Sequence, residues 1–197
     1  MDLKKVRDDL RQLRRGLSEL QQQEHGQKAL DVFKKCLPRF QLDTPKSIAV
    51  FLSRDGELDT SLLIRYLWQA DYRVYLPVLN QDTEQMLFVR YEAGCKMRTN
   101  RYGIAEPQSV ENSLAPEGLD LVIVPLVGFD AQGNRLGMGG GFYDKTFGFK
   151  IENPKTGPRL IGWAHSCQQL ATLPAQPWDV PLDAMVTEKG WQVFNLE

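Results

Sequence analysis

The amino-acid sequence predicts an α/β protein with a single open, mostly parallel sheet and helices on both faces of that sheet. Two observations carry this prediction. Short runs rich in β-branched and aromatic residues alternate along the chain with stretches of helical periodicity. One run, LDLVIVP at residues 119–125, is apolar almost throughout, which is typical of a central parallel strand buried on both faces. We expect residues 1–197 to form one domain, because this length allows a sizeable core.

The first elements are expected to be two helices. Apolar residues recur at helical spacing between Leu3 and Leu17, so the N-terminal segment should form an amphipathic helix. A second helix is expected over residues 25–36, before Pro38. The basic side chains of the first helix share a stripe beside its apolar face: Lys4, Arg7, Arg11 and Arg14.

A strand–helix–strand unit is expected next. The β-rich runs 47–53 (SIAVFLS) and 73–79 (RVYLPVL) enclose a helix at 62–70, which polar residues at 59–61 can cap. A right-handed crossover makes these two strands parallel. Further strands are expected at 86–91, 119–125, 159–165 and within 183–194. Residues 94–119 should include a loop-rich excursion that overhangs a site.

Composition and charge disfavour several classes of protein. The formal net charge of −1 argues against a basic nucleic-acid binder. No apolar run approaches bilayer length and the N-terminus offers no apolar core for a signal peptide, so we expect a cytoplasmic protein without a membrane partner. Three widely spaced cysteines and two histidines indicate neither a zinc site nor a disulfide framework. A monomer is expected, with a dimer left open.

The stretch 135–145 (RLGMGGGFYDK) places four glycines within five positions, after the apolar strand at 119–125. Ligands of open α/β sheets bind beyond the carboxyl ends of strands, and bare glycine backbone lets amide groups converge on phosphate oxygens. A helix beginning at Phe142 would direct its first amide groups at the same anion. Arg135 could add a cation and Asp144 an oxygen ligand for Mg²⁺. A flexible surface turn is the alternative, because the stretch matches neither GxxxxGK[ST] nor GxGxxG.

The longer string 124–145, VPLVGFDAQGNRLGMGGGFYDK, resembles the signature of the 5-formyltetrahydrofolate cyclo-ligase family, roughly P-x-x-x-F-D-x-x-G-x-R-L-G-x-G-x-G-[YF]-Y-D. Every fixed position is matched: Pro125, Phe129, Asp130, Gly133, Arg135, Leu136, Gly137, Gly139, Gly141, Phe142, Tyr143 and Asp144. Four further segments resemble family motifs: the first helix, 51–60 (FLSRDGELDT), 101–107 (RYGIAEP) and 178–187 (WDVPLDAMVT).

The resemblance implies a three-layer fold of the NagB/RpiA/CoA-transferase-like type. It also implies an ATP-dependent enzyme that uses Mg²⁺ and converts 5-formyltetrahydrofolate into 5,10-methenyltetrahydrofolate. In that reaction the formyl oxygen takes the γ-phosphoryl group of ATP, N10 of the folate closes the ring, and phosphate leaves. No enzyme nucleophile is required, and the sequence offers no evident Ser-His-Asp or Cys-His constellation.

The resemblance also implies roles for individual residues. ATP would be bound by Lys4, Arg7, Arg135, Leu136, Gly137, Met138, Gly139, Gly140, Gly141, Phe142 and Tyr143. Folate would be bound by Leu52, Glu57, Tyr102 and the loop residues Met138, Gly139, Gly140, Gly141 and Phe142. Asp144 and Asp183 would hold the metal, and Arg135 and Tyr143 would be catalytic.

Two positions depart from the family pattern. The family lysine four residues before Arg7 is Leu3 here, so Lys4 would have to replace it. The family often has a basic residue within the glycine loop, where this chain has Met138 and Gly140. Phosphate charge would then be met by the backbone, by Arg135 and by Lys145.

Simpler interpretations of these residues remain open. Arg7 and Lys4 can be solvated charges, Glu57 can favour the start of the next helix, and Asp183 can be a turn residue. Tyr102 and Tyr143 can pack within loops. Three other functions remain possible: a non-catalytic folate- or nucleotide-binding regulator, a sugar-phosphate isomerase or acyltransferase relative, and an RNA-binding module.

Overall fold

The computed structural model describes residues 1–40, 46–80 and 85–194. Its α-helices are α1 (Leu3–Arg15), α2 (Glu19–Cys36), α3 (Ser61–Gln69), α4 (Phe142–Phe147) and α5 (Phe149–Glu152), and 3₁₀ turns lie at Leu37–Phe40, Pro116–Gly118 and Ser166–Gln168. Its strands are β1 (Ser47–Ala49), β2 (Arg73–Leu79), β3 (Met86–Arg90), β4 (Met97–Thr99), β5 (Ala105–Pro107), β6 (Ser113–Leu114), β7 (Leu121–Val124), β8 (Gly128–Phe129), β9 (Arg135–Leu136), β10 (Arg159–Trp163), β11 (Ala184–Thr187) and β12 (Gly190–Val193).

Eight of these strands form one sheet in the order β12-β11-β10-β7-β1-β2-β3-β6. The five neighbours from β11 to β2 run parallel. At the two sides, β12 pairs antiparallel with β11 and β3 pairs antiparallel with β2, and β6 in turn pairs antiparallel with β3. The predicted mostly parallel sheet is therefore confirmed. The unit β1-α3-β2 is also the predicted parallel crossover, with Ser47 beside Arg73 in the register.

The strand β7 lies at the centre of the core. Leu121 and Ile123 pack on one face of the sheet with α2 and α3, whereas Val122 and Val124 pack on the other face with α4. All four side chains are at most 1% exposed. Burial on both faces explains why this strand is apolar throughout, as the sequence predicted. Within the described ranges, no helix is long and apolar enough to cross a bilayer.

The second helix begins at Glu19, six residues before the predicted start. Ser18 and Gln21 form a capping box: the Ser18 hydroxyl accepts from the Gln21 amide at 3.2 Å, and the Gln21 side chain accepts from the Ser18 amide at 2.9 Å. These two bonds satisfy amide groups that have no partner within the helix. The predicted boundary at residue 25 was wrong, because this capping box starts the helix six residues earlier.

The run predicted as a strand at 47–53 leaves the sheet early. β1 ends at Ala49, and the chain then follows an irregular path to Thr60 before α3 begins. Thr60 stabilises this path, since its hydroxyl donates to the Phe51 carbonyl at 2.8 Å. The segment 50–60 therefore lies at the carboxyl edge of the parallel strands, where ligands of open α/β sheets bind.

Candidate active site

A cleft of about 360 Å³ opens at this carboxyl edge. Its floor comes from the ends of three neighbouring strands: Leu52 follows β1, Leu79 ends β2 and Pro125 follows β7. The glycine loop, defined as residues 137–141, forms one side, and the hairpin of β4 and β5 forms another. The predicted overhang of residues 94–119 is confirmed, because Asn100 and Ile104 of this segment line the cleft.

The glycine loop exposes its backbone to the cleft. Residues 137–141 are all exposed, and Gly139 and Gly141 have φ angles of +101° and +65°, which side chains with a Cβ adopt at a cost. Across the described residues, none of the five amide groups donates a hydrogen bond to the protein. Gly141 caps α4, which begins at Phe142 as predicted. The loop therefore presents a set of unpaired donors suited to an anion.

Asp130 holds the turn that leads into the glycine loop. This fully buried carboxylate accepts from the backbone amides of Gln132, Asn134 and Leu173 and from the Asn134 side chain, at 2.9–3.0 Å. Burial alone would raise the pKa of Asp130, but these donors outweigh it and lower the pKa. The signature aspartate at this position is thus a scaffold residue that fixes the hairpin of β8 and β9.

Arg135 and Asp144 are paired at the mouth of the loop. The Arg135 Nη2 atom donates to Asp144 Oδ1 at 2.5 Å, and Nη1 donates to the Val180 carbonyl. The Val180 amide also donates to Asp144 Oδ1, at 3.1 Å. Within the described residues, Asp144 Oδ2 accepts no hydrogen bond, and both side chains line the cleft. The site therefore offers a fixed guanidinium and a free carboxylate oxygen beside the glycine loop.

Asp183 is placed differently from Asp144. It does not line the cleft; its Oδ2 accepts from the Leu160 amide at 2.7 Å and lies 3.8 Å from Lys150 Nζ. Arg159 is a further cation, 3.5 Å from Oδ1. Burial raises the pKa of Asp183, and these donors and cations act against it. The contacts shown support a structural role between β10 and β11, and metal binding by Asp183 remains a prediction.

The first helix contacts the outer side of the glycine loop. Arg7 Nε donates to the Gly137 carbonyl at 2.8 Å, and its guanidinium lies 3.9 Å from the position a Cβ on Gly139 would occupy. Arg7 is therefore placed beside the loop. Lys4 is exposed and does not line the cleft. Leu136 is buried beneath the loop and contributes packing to it.

Asp55 lines the cleft and pairs with Arg11 and Arg14 of the basic stripe. The sequence analysis did not identify Asp55 as a site residue. Arg11 Nε donates to Asp55 Oδ2 at 2.9 Å, Arg14 Nη2 donates to the same oxygen at 3.0 Å, and Arg15 pairs with Oδ1. Arg14 is 1% exposed and also donates to the Leu126 carbonyl. Burial opposes ionisation of Asp55, but the three arginines lower its pKa to about 2.

Arg14 is thus neither a solvated charge nor a cation on the surface of the helix. It crosses the interior and lines the cleft, together with Asp55. Asp55 has a φ of +55° and Gly56 a φ of +72°, which is typical of a tight Asp-Gly turn. That dipeptide was the one available signal for the turn, but nothing in its local pattern indicated three arginine partners.

Glu57 and Leu52 lie on the same wall of the cleft. Glu57 is 13% exposed; its Oε2 accepts from the Arg54 amide at 3.0 Å and its Oε1 lies 3.6 Å from Arg14 Nη2. Burial raises the pKa of Glu57, although Arg14 acts against this. The next helix does not depend on Glu57, because Asp59 accepts from its first amide, at Ser61.

Aromatic side chains close the cleft. Tyr102, 43% exposed at the tip of the β4–β5 hairpin, meets Phe142 edge to face at 5.7 Å. Tyr143 stacks on Phe147 at 6.2 Å while also lining the cleft, so it packs the loop and faces the site at once. Burial and the nearby Glu57 raise the pKa of Tyr143, so its hydroxyl stays protonated at neutral pH.

The structure therefore brings most of the predicted residues into one place. The cleft is lined by Leu52, Glu57, Tyr102, Arg135, Gly137, Met138, Gly139, Gly140, Gly141, Phe142, Tyr143 and Asp144. Arg7 donates to the loop backbone and Leu136 is buried next to the loop in the chain, and neither residue lines the cleft. Lys4 and Asp183 also do not line the cleft.

The chain is similar to known proteins of one family. The sequence profile of the 5-formyltetrahydrofolate cyclo-ligase family matches residues 2–188. The chain is 46% identical to the 5-formyltetrahydrofolate cyclo-ligase of Escherichia coli K12 over 186 residues, covering 93% of this chain and 99% of that protein. It is 42% identical to the cyclo-ligase of Haemophilus influenzae over 179 residues, covering 90% and 92%.

Solved structures share the fold. The 5,10-methenyltetrahydrofolate synthetase of Aquifex aeolicus superposes with a TM-score of 0.80 at 27% identity, covering 98% of this chain and 93% of that one. The corresponding synthetase of Mycoplasma pneumoniae superposes with a TM-score of 0.72 at 26% identity, covering 95% and 99%.

Proposed function

The chain belongs to the 5-formyltetrahydrofolate cyclo-ligase family, and on that premise we propose that it converts 5-formyltetrahydrofolate and ATP into 5,10-methenyltetrahydrofolate, ADP and phosphate. One observation carries the proposal. A loop of amide groups that have no partner among the described residues lines the same cleft as an acidic and an aromatic side chain. The two substrates of the reaction, a polyphosphate and a reduced pterin, need these two kinds of surface.

The wall opposite the loop suits the folate. Glu57 offers a partly buried carboxylate that can accept N–H groups of the pterin ring, and Leu52 offers an apolar contact. Tyr102 is exposed beside Phe142 and can stack on the ring. These roles follow the family resemblance and agree with the chemistry of the side chains in the cleft.

The glycine loop suits the terminal phosphates of ATP. Its amide groups supply donors, and Arg7 and Arg135 beside it supply positive charge. No loop side chain is basic, so the backbone would carry a large share of the binding. This arrangement compensates for Met138 and Gly140, where the family often has a basic residue.

The reaction needs an activated formyl oxygen. In the proposed sequence this oxygen attacks the γ-phosphorus and ADP leaves. N10 of the folate then attacks the formyl carbon, its N–H proton is lost, the C–O bond breaks and phosphate leaves. The enzyme positions the reactants and stabilises charge. Arg135, held rigidly by Asp144 and Val180, would stabilise the transferring phosphoryl group, and the protonated Tyr143 hydroxyl would donate a hydrogen bond in the cleft.

Asp144 fits a role in binding Mg²⁺. Its Oδ2 accepts no hydrogen bond from the described residues, and Mg²⁺ takes one or two carboxylates together with phosphate oxygens and water. Bound there, the ion would neutralise phosphate charge. Because one chain supplies the whole described lining of the cleft, we propose a monomeric enzyme. We further propose that it is a single domain and acts in the cytoplasm on small molecules.

The test is direct. Purified protein is mixed with 5-formyltetrahydrofolate, ATP and Mg²⁺, and the absorbance of the methenyl product is followed. The proposal expects product that depends on ATP and on the protein. Correctly folded protein that gives no more product than a control without enzyme would contradict it, and would favour a non-catalytic binder if either ligand still binds.

Asp144→Asn should lower turnover by roughly 100-fold, because one carboxylate oxygen that would bind the metal is lost. It should also raise the Mg²⁺ concentration needed for half-maximal rate. Asp8→Asn, which changes an exposed carboxylate of α1, is the matched control and should leave both values unchanged. Wild-type turnover of the Asp144 variant at limiting Mg²⁺ would remove this residue from the site.

A further inference from the structure

Three side chains that the proposed reaction does not use meet outside the cleft. His25 lies on α2, His165 follows β10, and Glu188 lies in the turn between β11 and β12. The two Nδ1 atoms are 2.9 Å apart, and His25 Nδ1 is 3.9 Å from Glu188 Oε2. All three ligand atoms lie within 4.8 Å of one another. None of the three residues lines the cleft.

The cluster is shielded from water. His165 is fully buried, and the side chains of His25 and Glu188 are 19% and 5% exposed. An enclosed group of two imidazoles and one carboxylate is a ligand set of the kind that holds a metal in proteins.

Small shifts would bring the three ligand atoms to the spacing of a tetrahedral site. Ligand atoms that are each about 2.05 Å from a tetrahedral ion are about 3.3 Å apart. The two Nδ1 atoms, 2.9 Å apart, would have to separate by about 0.4 Å, and Glu188 Oε2, 3.9 Å from His25 Nδ1, would have to approach by about 0.6 Å. Ser166 donates its amide and hydroxyl to Glu188. Such supporting contacts are usual around metal ligands.

A hydrogen bond between the two imidazoles explains less of this arrangement than a bound metal ion does. It accounts for the contact of the Nδ1 atoms but not for the carboxylate beside them. Among the described residues His165 Nε2 has no hydrogen-bond partner, and a metal bound at Nδ1 would leave this unchanged, so Nε2 does not separate the two interpretations.

We propose that His25, His165 and Glu188 bind a divalent transition metal of the zinc class, at a site separate from the ATP site. Two imidazoles and one carboxylate suit Zn²⁺, Co²⁺ or Ni²⁺. The ion would join α2 to the ends of β10 and β11. It would also lie near Gly56, whose backbone contacts His165 and whose neighbours Asp55 and Glu57 line the cleft. The sequence indicated no such site, because 163 residues separate the first ligand from the last.

The experiment uses Zn²⁺ and Co²⁺ as probes of the full-length protein. The background variant Cys95→Ser/Cys167→Ser removes the two thiols that are not buried, and Cys36 is buried. Titration calorimetry should show one equivalent of Zn²⁺ bound per chain, and bound Zn²⁺ should raise the Tm. Co²⁺ should give a visible spectrum of nitrogen and oxygen ligation without a sulfur charge-transfer band.

Variants decide the assignment. His25→Gln and Glu188→Gln, each on this background, should weaken Zn²⁺ binding at least 10-fold and abolish the Tm increase, while circular dichroism shows an unchanged fold. Asp31→Asn, an exposed carboxylate on the same helix, should bind as tightly as the background. No saturable binding by the folded background protein, or equal binding by the His25 variant, overturns the proposal. Because binding is measured without folate or ATP, this outcome is independent of the proposed enzymatic activity.

Discussion

Asp55 forms ion pairs that connect the first helix to the wall of the cleft, and its replacement by asparagine tests how much these pairs stabilise the fold. The carboxylate receives hydrogen bonds from Arg11, Arg14 and Arg15, and Arg14 is only 1% exposed. Asparagine keeps the shape but removes the charge. Arg14 would then retain one nearby carboxylate, Glu57, at 3.6 Å. The folded state should lose stability because a buried guanidinium is left with less compensation.

The size of the loss follows from the pKa of Asp55. Each unit of pKa corresponds to about 1.4 kcal/mol, so lowering it from 3.8 to about 2 stabilises the folded state by roughly 2 kcal/mol at neutral pH. For a chain of this length, that loss lowers the Tm by about 4–8 °C. Because the folded pKa is the lower one, this stabilisation is present above pH 4 and is lost as the pH falls towards 2.

Urea denaturation followed by circular dichroism, repeated from pH 7 down to pH 2, measures this directly. The free energy of unfolding of Asp55→Asn should be about 2 kcal/mol below that of the wild type at pH 7, and the two should converge near pH 2. Asp8→Asn is the control and should change stability by less than about 0.5 kcal/mol. Equal stability at pH 7, or a difference that persists unchanged at pH 2, would refute this account of Asp55.

Three further predictions concern the cleft. Gly139→Ala should raise the KM for ATP roughly 10-fold, because the φ of +101° strains any residue with a Cβ. Gly137→Ala, whose added Cβ would meet nothing within 4 Å, should raise this KM less. Equal increases in the two variants would contradict the role of the backbone conformation. Glu57→Gln should remove an acid limb from the pH profile of kcat/KM for folate. Because burial raises the pKa of Glu57, the wild-type limb should lie above the ordinary value of 4.5. An identical limb in the variant would show that Glu57 is not the group that titrates. Tyr102→Ala should raise the KM for folate several-fold whereas Tyr102→Phe should not, because stacking needs the ring and not the hydroxyl. A raised KM in both variants would indicate that the hydroxyl matters instead.

Local patterns in the sequence were sufficient for much of the fold. The apolar run around β7 predicted a central strand, and the alternation of strand and helix predicted the parallel unit β1-α3-β2. These features depend on neighbours in the chain, so the sequence displays them directly. The start of α2 is also encoded locally, by the capping box of Ser18 and Gln21.

For the glycine loop, the sequence pattern predicted the chemistry but not the conformation. Its composition indicated exposed backbone, and its similarity to the family signature indicated the chemistry. The structure added the conformation, with positive φ at Gly139 and Gly141, and the scaffold role of Asp130 beneath it. The sequence could not separate the signature residues that face the cleft from those that hold the turn, because both kinds occur in one short stretch.

By itself, the amino-acid sequence determined the family of this protein, its mostly parallel sheet and the position of the loop that faces the cleft. Only the tertiary structure decided that three arginines converge on Asp55, that Asp183 pairs with Lys150 away from the cleft, and that His25 meets His165. The physical reason is the range of the interactions. Helix periodicity and turn chemistry act between neighbours in the chain, whereas these contacts join residues about 30 to 140 positions apart and exist only once the sheet and its helices have packed.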